Sequence, residues 1–158
     1  MASIIGVETL QHTNGTTAAT IDSSGRIVMP QVPIAVGSFV TVGSSQSGLT
    51  KMNLDTGSLT NGGMTVSTST DRITVPVDGF YRVYAQRLTS GSAAYMSVRV
   101  NGGGAHVQAY GNTLDHDDLI ISTILELDAN DYIEFYYDGT VTYAWSGAHA
   151  AWSIELIG

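Results

Sequence analysis

The chain has 158 residues with a hydrophobic content of 43%, a size that suits one main domain burying roughly two thirds of the surface its unfolded form exposes. It has no cysteine, which excludes disulfides and Cys-based zinc or redox sites, and no apolar run reaches the ~18 residues of a membrane-spanning helix, so membrane insertion is not expected. The net charge of −8 lies wholly in residues 91–158, where nine acids accompany Arg99 as the only Lys or Arg, and such a surface repels phosphate backbones, so nucleic acid is not an expected partner.

Residues 1–33 form a distinct opening segment. The start, MASIIGVETLQHTNG, lacks the basic region and long apolar stretch of a secretory signal, so folding in a cytoplasm is expected. Turn chemistry at Thr13–Thr17 (TNGTT) and Asp22–Gly25 (DSSG) separates short apolar runs, and Pro30 and Pro33 stiffen IVMPQVP. With no aromatic residue to bury, residues 1–33 read as an extended N-terminal arm for attachment, and residues 34–158 as the head domain.

Within the head, Ile34–Val42 reads as a strand. Residues 43–70 read as a long Ser/Thr/Gly/Asn connection with one short strand around Met64–Val66. Asp71–Gln86 (DRITVPVDGFYRVYAQ) reads as two strands joined at a Val-Asp-Gly corner, with Pro76 inside the first. Period-2 alternation places Tyr81, Val83 and Ala85 on one face of the second strand and Phe80, Arg82 and Tyr84 on the other. Further strands follow at Tyr95–Val100, Ala105–Tyr110, Leu119–Leu127, Tyr132–Tyr137 and Ala148–Ile157, the last with Trp152, Ile154 and Leu156 inward. No amphipathic helix is evident. Many short strands with polar turns predict an all-β protein, an antiparallel β-sandwich of jelly-roll topology. The alternation turns Phe80, Tyr84, Tyr132 and Tyr136 out of the core, and exposed aromatic residues of this kind predict a subunit interface.

Little in the sequence carries chemistry. In Asn112–Asp118 (NTLDHDD), Asp115, Asp117 and Asp118 offer hard oxygen ligands of the kind calcium takes, with His116 among them. The spacing is not that of an EF-hand, so a solvated loop tip is the favoured reading and no cofactor is expected. His12, His106, His116 and His149 lack any zinc spacing. Asn101–Gly104 (NGGG) follows a strand but precedes no helix or Lys-Ser/Thr, so it reads as a hairpin turn and not a phosphate loop. There is no Gly-x-Ser-x-Gly elbow and no marked carboxylate pair, so no enzymatic activity is expected. Tyr143 and Trp145, in TYAWSGAH, are candidates for stacking on a sugar ring; with His116 they form the candidate receptor-facing set. The expected outward loops are Leu88–Ala94, Asn112–Asp118 and Asp138–Gly147.

Three segments in order carry a resemblance. Val75-Pro76-Val77-Asp78-Gly79-Phe80-Tyr81-Arg82-Val83, Leu127–Ile133 (LDANDYI) and Trp152–Ile157 (WSIELI) resemble the trimeric jelly-roll heads of the complement globular-head and tumour-necrosis-factor-like family. Val83 and Trp152 stand where that family usually has Phe, and Ile154 where it has Gly. The opening ETLQHTNGTTAATIDSSGRIVMPQVP is similar to N-terminal pieces of bacteriophage tail-fibre and virion appendage proteins. The resemblance implies a non-enzymatic virion structural protein: a homotrimeric exterior head, as fibre, knob or capsid decoration. It implies assembly in the host cytoplasm, docking to other virion proteins through residues 1–33, and contact with a host-surface glycan or protein. A carbohydrate-binding module outside a virion is the alternative reading, and a glycan-active enzyme a more distant one.

Overall fold

The computed structural model describes residues 8–15, 17–29, 31–40, 47–56, 58–111, 117–144 and 149–158; for 91–94, 117 and 140–144 only the main chain is described. The chain divides into two compact units, Met1–Val32 and Pro33–Gly158.

The first unit is an antiparallel meander of β1 (Thr9–Gln11), β2 (Thr17–Ile21) and β3 (Ile27–Val28). Its turns follow from local chemistry. Gly15, at φ 85°, closes the first by donating its N–H to the His12 carbonyl at 2.8 Å. In the second, the Asp22 carboxylate accepts the N–H groups of Ser24 at 2.9 Å and Arg26 at 3.0 Å, while the Arg26 side chain pairs with it at 2.7 Å. Among the described residues of this unit only Ala19 is buried, and Leu10, Ile27 and Met29 are exposed. So small a sheet has no core of its own.

The second unit contains β4 (Ile34–Ser38), β5 (Thr50–Lys51), β6 (Leu59–Asn61), β7 (Thr65–Ser67), β8 (Arg72–Thr74), β9 (Gly79–Val100), β10 (Ala105–Tyr110), β11 (Asp117–Leu127), β12 (Tyr132–Ala144) and β13 (Ala150–Leu156). All pairings are antiparallel, and together they make the jelly-roll sandwich expected from the alternation. Sheet one runs β6-β4-β13-β9-β11 and uses the first half of β9; sheet two runs β10-β9-β12-β8-β7 and uses its second half, with β5 beside β12.

The inward residues of both sheets form one core. Tyr81, Val83 and Ala85 of β9 face Ile133, Phe135 and Tyr137 of β12, with Trp152 and Ile154 from β13. Phe39 meets Phe135 edge-on, with ring centroids 5.3 Å apart at 83°. Two large buried side chains have their polar tips satisfied: the Trp152 indole N–H donates to the Ser38 carbonyl at 3.1 Å and the Tyr81 hydroxyl to the Val77 carbonyl at 2.9 Å. Trp152 lies opposite Gly37 in the ladder, and a Cβ there would come within 2.5 Å of its ring. Glycine is required at this close approach.

Three expectations are corrected. The Leu88–Ala94 segment and residues 138–144 of the Asp138–Gly147 segment are strand and not loop, residues 145–147 lying outside the described residues. Thr89, Ser90, Gly91 and Ser92 of β9 pair with Ala144, Tyr143, Val141 and Thr140 of β12, and register shifts in β12 absorb the irregularity. Small polar residues there suggested a loop, but a paired ladder satisfies their backbone groups equally well. Among its described residues the 43–70 connection carries three short strands, β5, β6 and β7, because the isolated apolar residues Met52, Leu54 and Met64 are buried and pin it to the core. Pro76 lies past the end of β8, and the N–H of Val75 leaves the strand ladder to donate to the Asp131 carbonyl at 2.9 Å.

Candidate interaction faces

The strands that build the core leave two outer faces, one on each side of the sandwich. On sheet one, β4, β13, β9 and β11 align Val36, Ser153, Tyr84 and Ser122 in one cross-strand row. Ile34, Glu155, Arg82 and Ile124 form the next, and Ser38, Ala151, Gln86 and Ile120 a third. Phe80 sits beyond them opposite Glu126. Arg82 and Glu155 pair at 2.6 Å, and the Tyr84 hydroxyl donates to Gln86 Oε1 at 2.6 Å. Around these polar groups Phe80, Ile120 and Ile124 are exposed by 47%, 49% and 56%. The solvated face of an antiparallel sheet ordinarily presents polar residues. Three large apolar side chains on one such face mark a surface suited to burial against another protein.

The outer face of sheet two is chemically different. Tyr132, Glu134, Tyr136 and Asp138 project outward from β12, because Ile133, Phe135 and Tyr137 fill the core. Glu134 is 2% exposed and accepts hydrogen bonds from Lys51 Nζ of β5 at 2.5 Å and Arg72 Nε of β8 at 3.0 Å. Burial alone would raise the Glu134 carboxyl, but these two hydrogen-bonded cations hold it below its ordinary range. The Arg72 guanidinium lies 4.0 Å from the centre of the Tyr132 ring, and that of Arg99 lies 4.8 Å from the centre of Tyr136. Tyr95 packs against Tyr110 at 5.4 Å and donates its hydroxyl to Asp138 Oδ2 at 2.9 Å.

The four aromatic residues singled out from the sequence therefore divide between two surfaces. Phe80 and Tyr84 lie on the outer face of sheet one, and Tyr132 and Tyr136 on the outer face of sheet two, across the core from them. Asp118 is exposed at the start of β11, where Asp117 contributes its main chain. Tyr143 lies in the main chain of β12; Asp115, His116 and Trp145 fall outside the described residues. Among the described residues no three His, Asp or Glu gather in a group able to hold a metal ion. His106 and His149 are exposed, and His12 Nδ1 accepts the N–H of Asn14 at 3.4 Å. The Asn101–Gly104 stretch is the hairpin turn its glycines suggested, with Asn101 at φ 54° and Gly102 at φ 69°.

Sequence reasoning missed Lys51, Arg72, Arg99 and Glu134 as a group. The one available signal was a glutamate flanked by tyrosines in mid-strand, and the group's three cations come from strands 83, 62 and 35 residues away from it along the chain. Ile120 and Ile124 were missed because LIISTIL reads as a strand buried on both faces.

No family model matches the chain, and no curated protein matches it. Solved structures do. Murine APRIL at pH 5.0 superposes with a TM-score of 0.65 at 15% identity, covering 80% of this chain and 99% of the other. The murine APRIL structure at pH 8.0 gives 0.63 at 14%, covering 80% and 98%. The Eiger TNF of S. frugiperda gives 0.59 at 14%, covering 81% and 94%. At such identities the likeness is one of fold: this is a TNF-like jelly-roll β-sandwich.

Proposed function

We propose that the chain is a non-enzymatic homotrimeric head, carried on the exterior of a bacteriophage virion as a fibre tip, knob or capsid decoration. Its role is host-surface attachment or particle stabilisation. The observation that carries the self-association is the apolar outer face of sheet one, where Phe80, Ile120 and Ile124 are exposed. Three-fold symmetry closes a ring by packing this patch on a different patch of the next subunit. The TNF-like fold supports the reading, because the resembled family assembles such heads as trimers.

The virion assignment rests on the sequence resemblance of the opening segment. Its meander suits docking to another virion protein, since Leu10, Ile27 and Met29 are exposed on a sheet with no core to cover them. Weak contacts between each head and a host glycan or protein then gain strength through three-fold display. Mass spectrometry of purified particles tests the location: peptides of this chain at a fixed ratio to the capsid protein support it, and their absence refutes it. Ile124→Arg tests the interface. It is expected to shift the protein from trimer to monomer in size-exclusion chromatography with light scattering, and an unchanged mass would place the contact elsewhere.

A further inference from the structure

Half of the six Lys and Arg residues in this acidic chain converge on one outer face, that of sheet two. Lys51, Arg72 and Arg99 stand there with two carboxylates, Glu134 and Asp138. Both carboxylates are spent internally. Glu134 is enclosed by its two cations, and Asp138 accepts the Tyr95 hydroxyl at 2.9 Å and the N–H of Gly139 at 2.8 Å. The guanidinium groups are not spent: Arg72 gives Glu134 only its Nε, and its side chain is 40% exposed. Arg99 gives Nη1 to the Gly103 carbonyl at 3.2 Å, while its buried Nε has no acceptor. Each guanidinium is packed over a tyrosine ring, which limits its rotation before any ligand arrives. Farther along the same face, opposite Tyr95 and so four residues along β9 from Arg99, Tyr110 is 74% exposed, leans on Tyr95 and presents a ring to solvent.

We propose that this face binds an acidic saccharide, its carboxylate taken by Arg72 and Arg99 and a sugar ring set against Tyr110. The assignment rests on the host-attachment reading above and names the ligand class of that role. The charge is complementary, since the cluster is net positive within a chain of net charge −8. A guanidinium matches a carboxylate with two parallel hydrogen bonds, which a neutral sugar cannot accept. The platform consists of strand residues, so its geometry is set by the ladder. A paired, aromatic sheet face suits a ring-shaped ligand better than an acidic peptide, which needs a groove or a free strand edge.

Isothermal titration calorimetry on the whole protein tests this. The probes are a galacturonic acid tetramer and sialyllactose, with neutral maltotetraose and tetraglutamate as controls. Saturable binding of an acidic saccharide is expected, weakening with added salt. Arg72→Gln and Arg99→Gln should each weaken it about tenfold, the loss of roughly one charge-assisted hydrogen bond. Tyr110→Ala should weaken it as well. Absence of binding by both acidic saccharides would overturn the proposal, as would equal binding of maltotetraose or tetraglutamate. Variants that bind like the parent would also overturn it. Particle mass spectrometry reads the virion assignment separately, so failure of one is not mistaken for failure of the other.

Discussion

Glu134 and Arg87 show how differently two enclosed charges are handled in this sandwich. Glu134 is hydrogen-bonded by two cations, and its carboxyl is depressed from its ordinary 4.5 because those bonds outweigh burial. A depressed acid contributes stability that is complete above the unfolded value and is lost as pH falls through the folded one. Acid titration of stability should therefore show a declining limb below about pH 4.5, and Glu134→Gln should flatten that limb, as read by urea unfolding at several pH values. Arg87 is 1% exposed; it donates Nη2 to the Val40 carbonyl at 2.6 Å, and its Nε and Nη1 have no acceptor. Burial pushes its guanidinium down to about 10. Replacing a buried, incompletely paired charge by an apolar group of similar volume is neutral to stabilising. Arg87→Met should thus leave unfolding stability unchanged or raise it by up to about 3 kcal/mol, and a marked loss would contradict this account. The sequence held half of this: the alternation Tyr81, Val83, Ala85 points position 87 inward, while its charge argues against burial.

Strand β9 organises the fold, running 22 residues and serving both sheets. Its first half, β12 and β13 were legible in the sequence because alternating aromatic and β-branched residues mark one buried face. Its middle was not, since serine, glycine and alanine carry no periodic signal. Strands β5 to β7 were mostly illegible for a related reason: each is two or three residues long and owes its place to a distant partner, as Lys51 does to Tyr136. The β4–β13 contact depends on Gly37 beneath Trp152. Gly37→Ala should destabilise by about 1–3 kcal/mol through overpacking, lowering the urea midpoint with little change in slope. A neutral result would mean that the Trp152 ring can move aside. On the outer face Ile124 is exposed, so Ile124→Arg changes the proposed subunit contact and not the core, and the subunit should stay folded while the proposed trimer dissociates.

At the scale of the whole molecule, the proposed roles divide between the two outer faces. The apolar face of sheet one is assigned to the next subunit, and the tyrosine and cation face of sheet two to a ligand. The candidate interface residues Phe80, Tyr84, Tyr132 and Tyr136 were recognisable in the sequence as outward-facing, since period-2 alternation reports inside against outside. It does not report which of two outsides, because that depends on which sheet a strand joins. The first unit, Met1–Val32, has its own meander and the second its own core. A fragment of residues 33–158 should therefore unfold cooperatively and keep the oligomeric state of the full chain, as measured by circular dichroism and light scattering. The central claim is that the sheet-one face is a subunit contact, and sedimentation equilibrium of the full chain at micromolar concentration tests it most directly. The account predicts a single species of three times the 16.6 kDa protomer mass, and a species at 16.6 kDa across that range would contradict it.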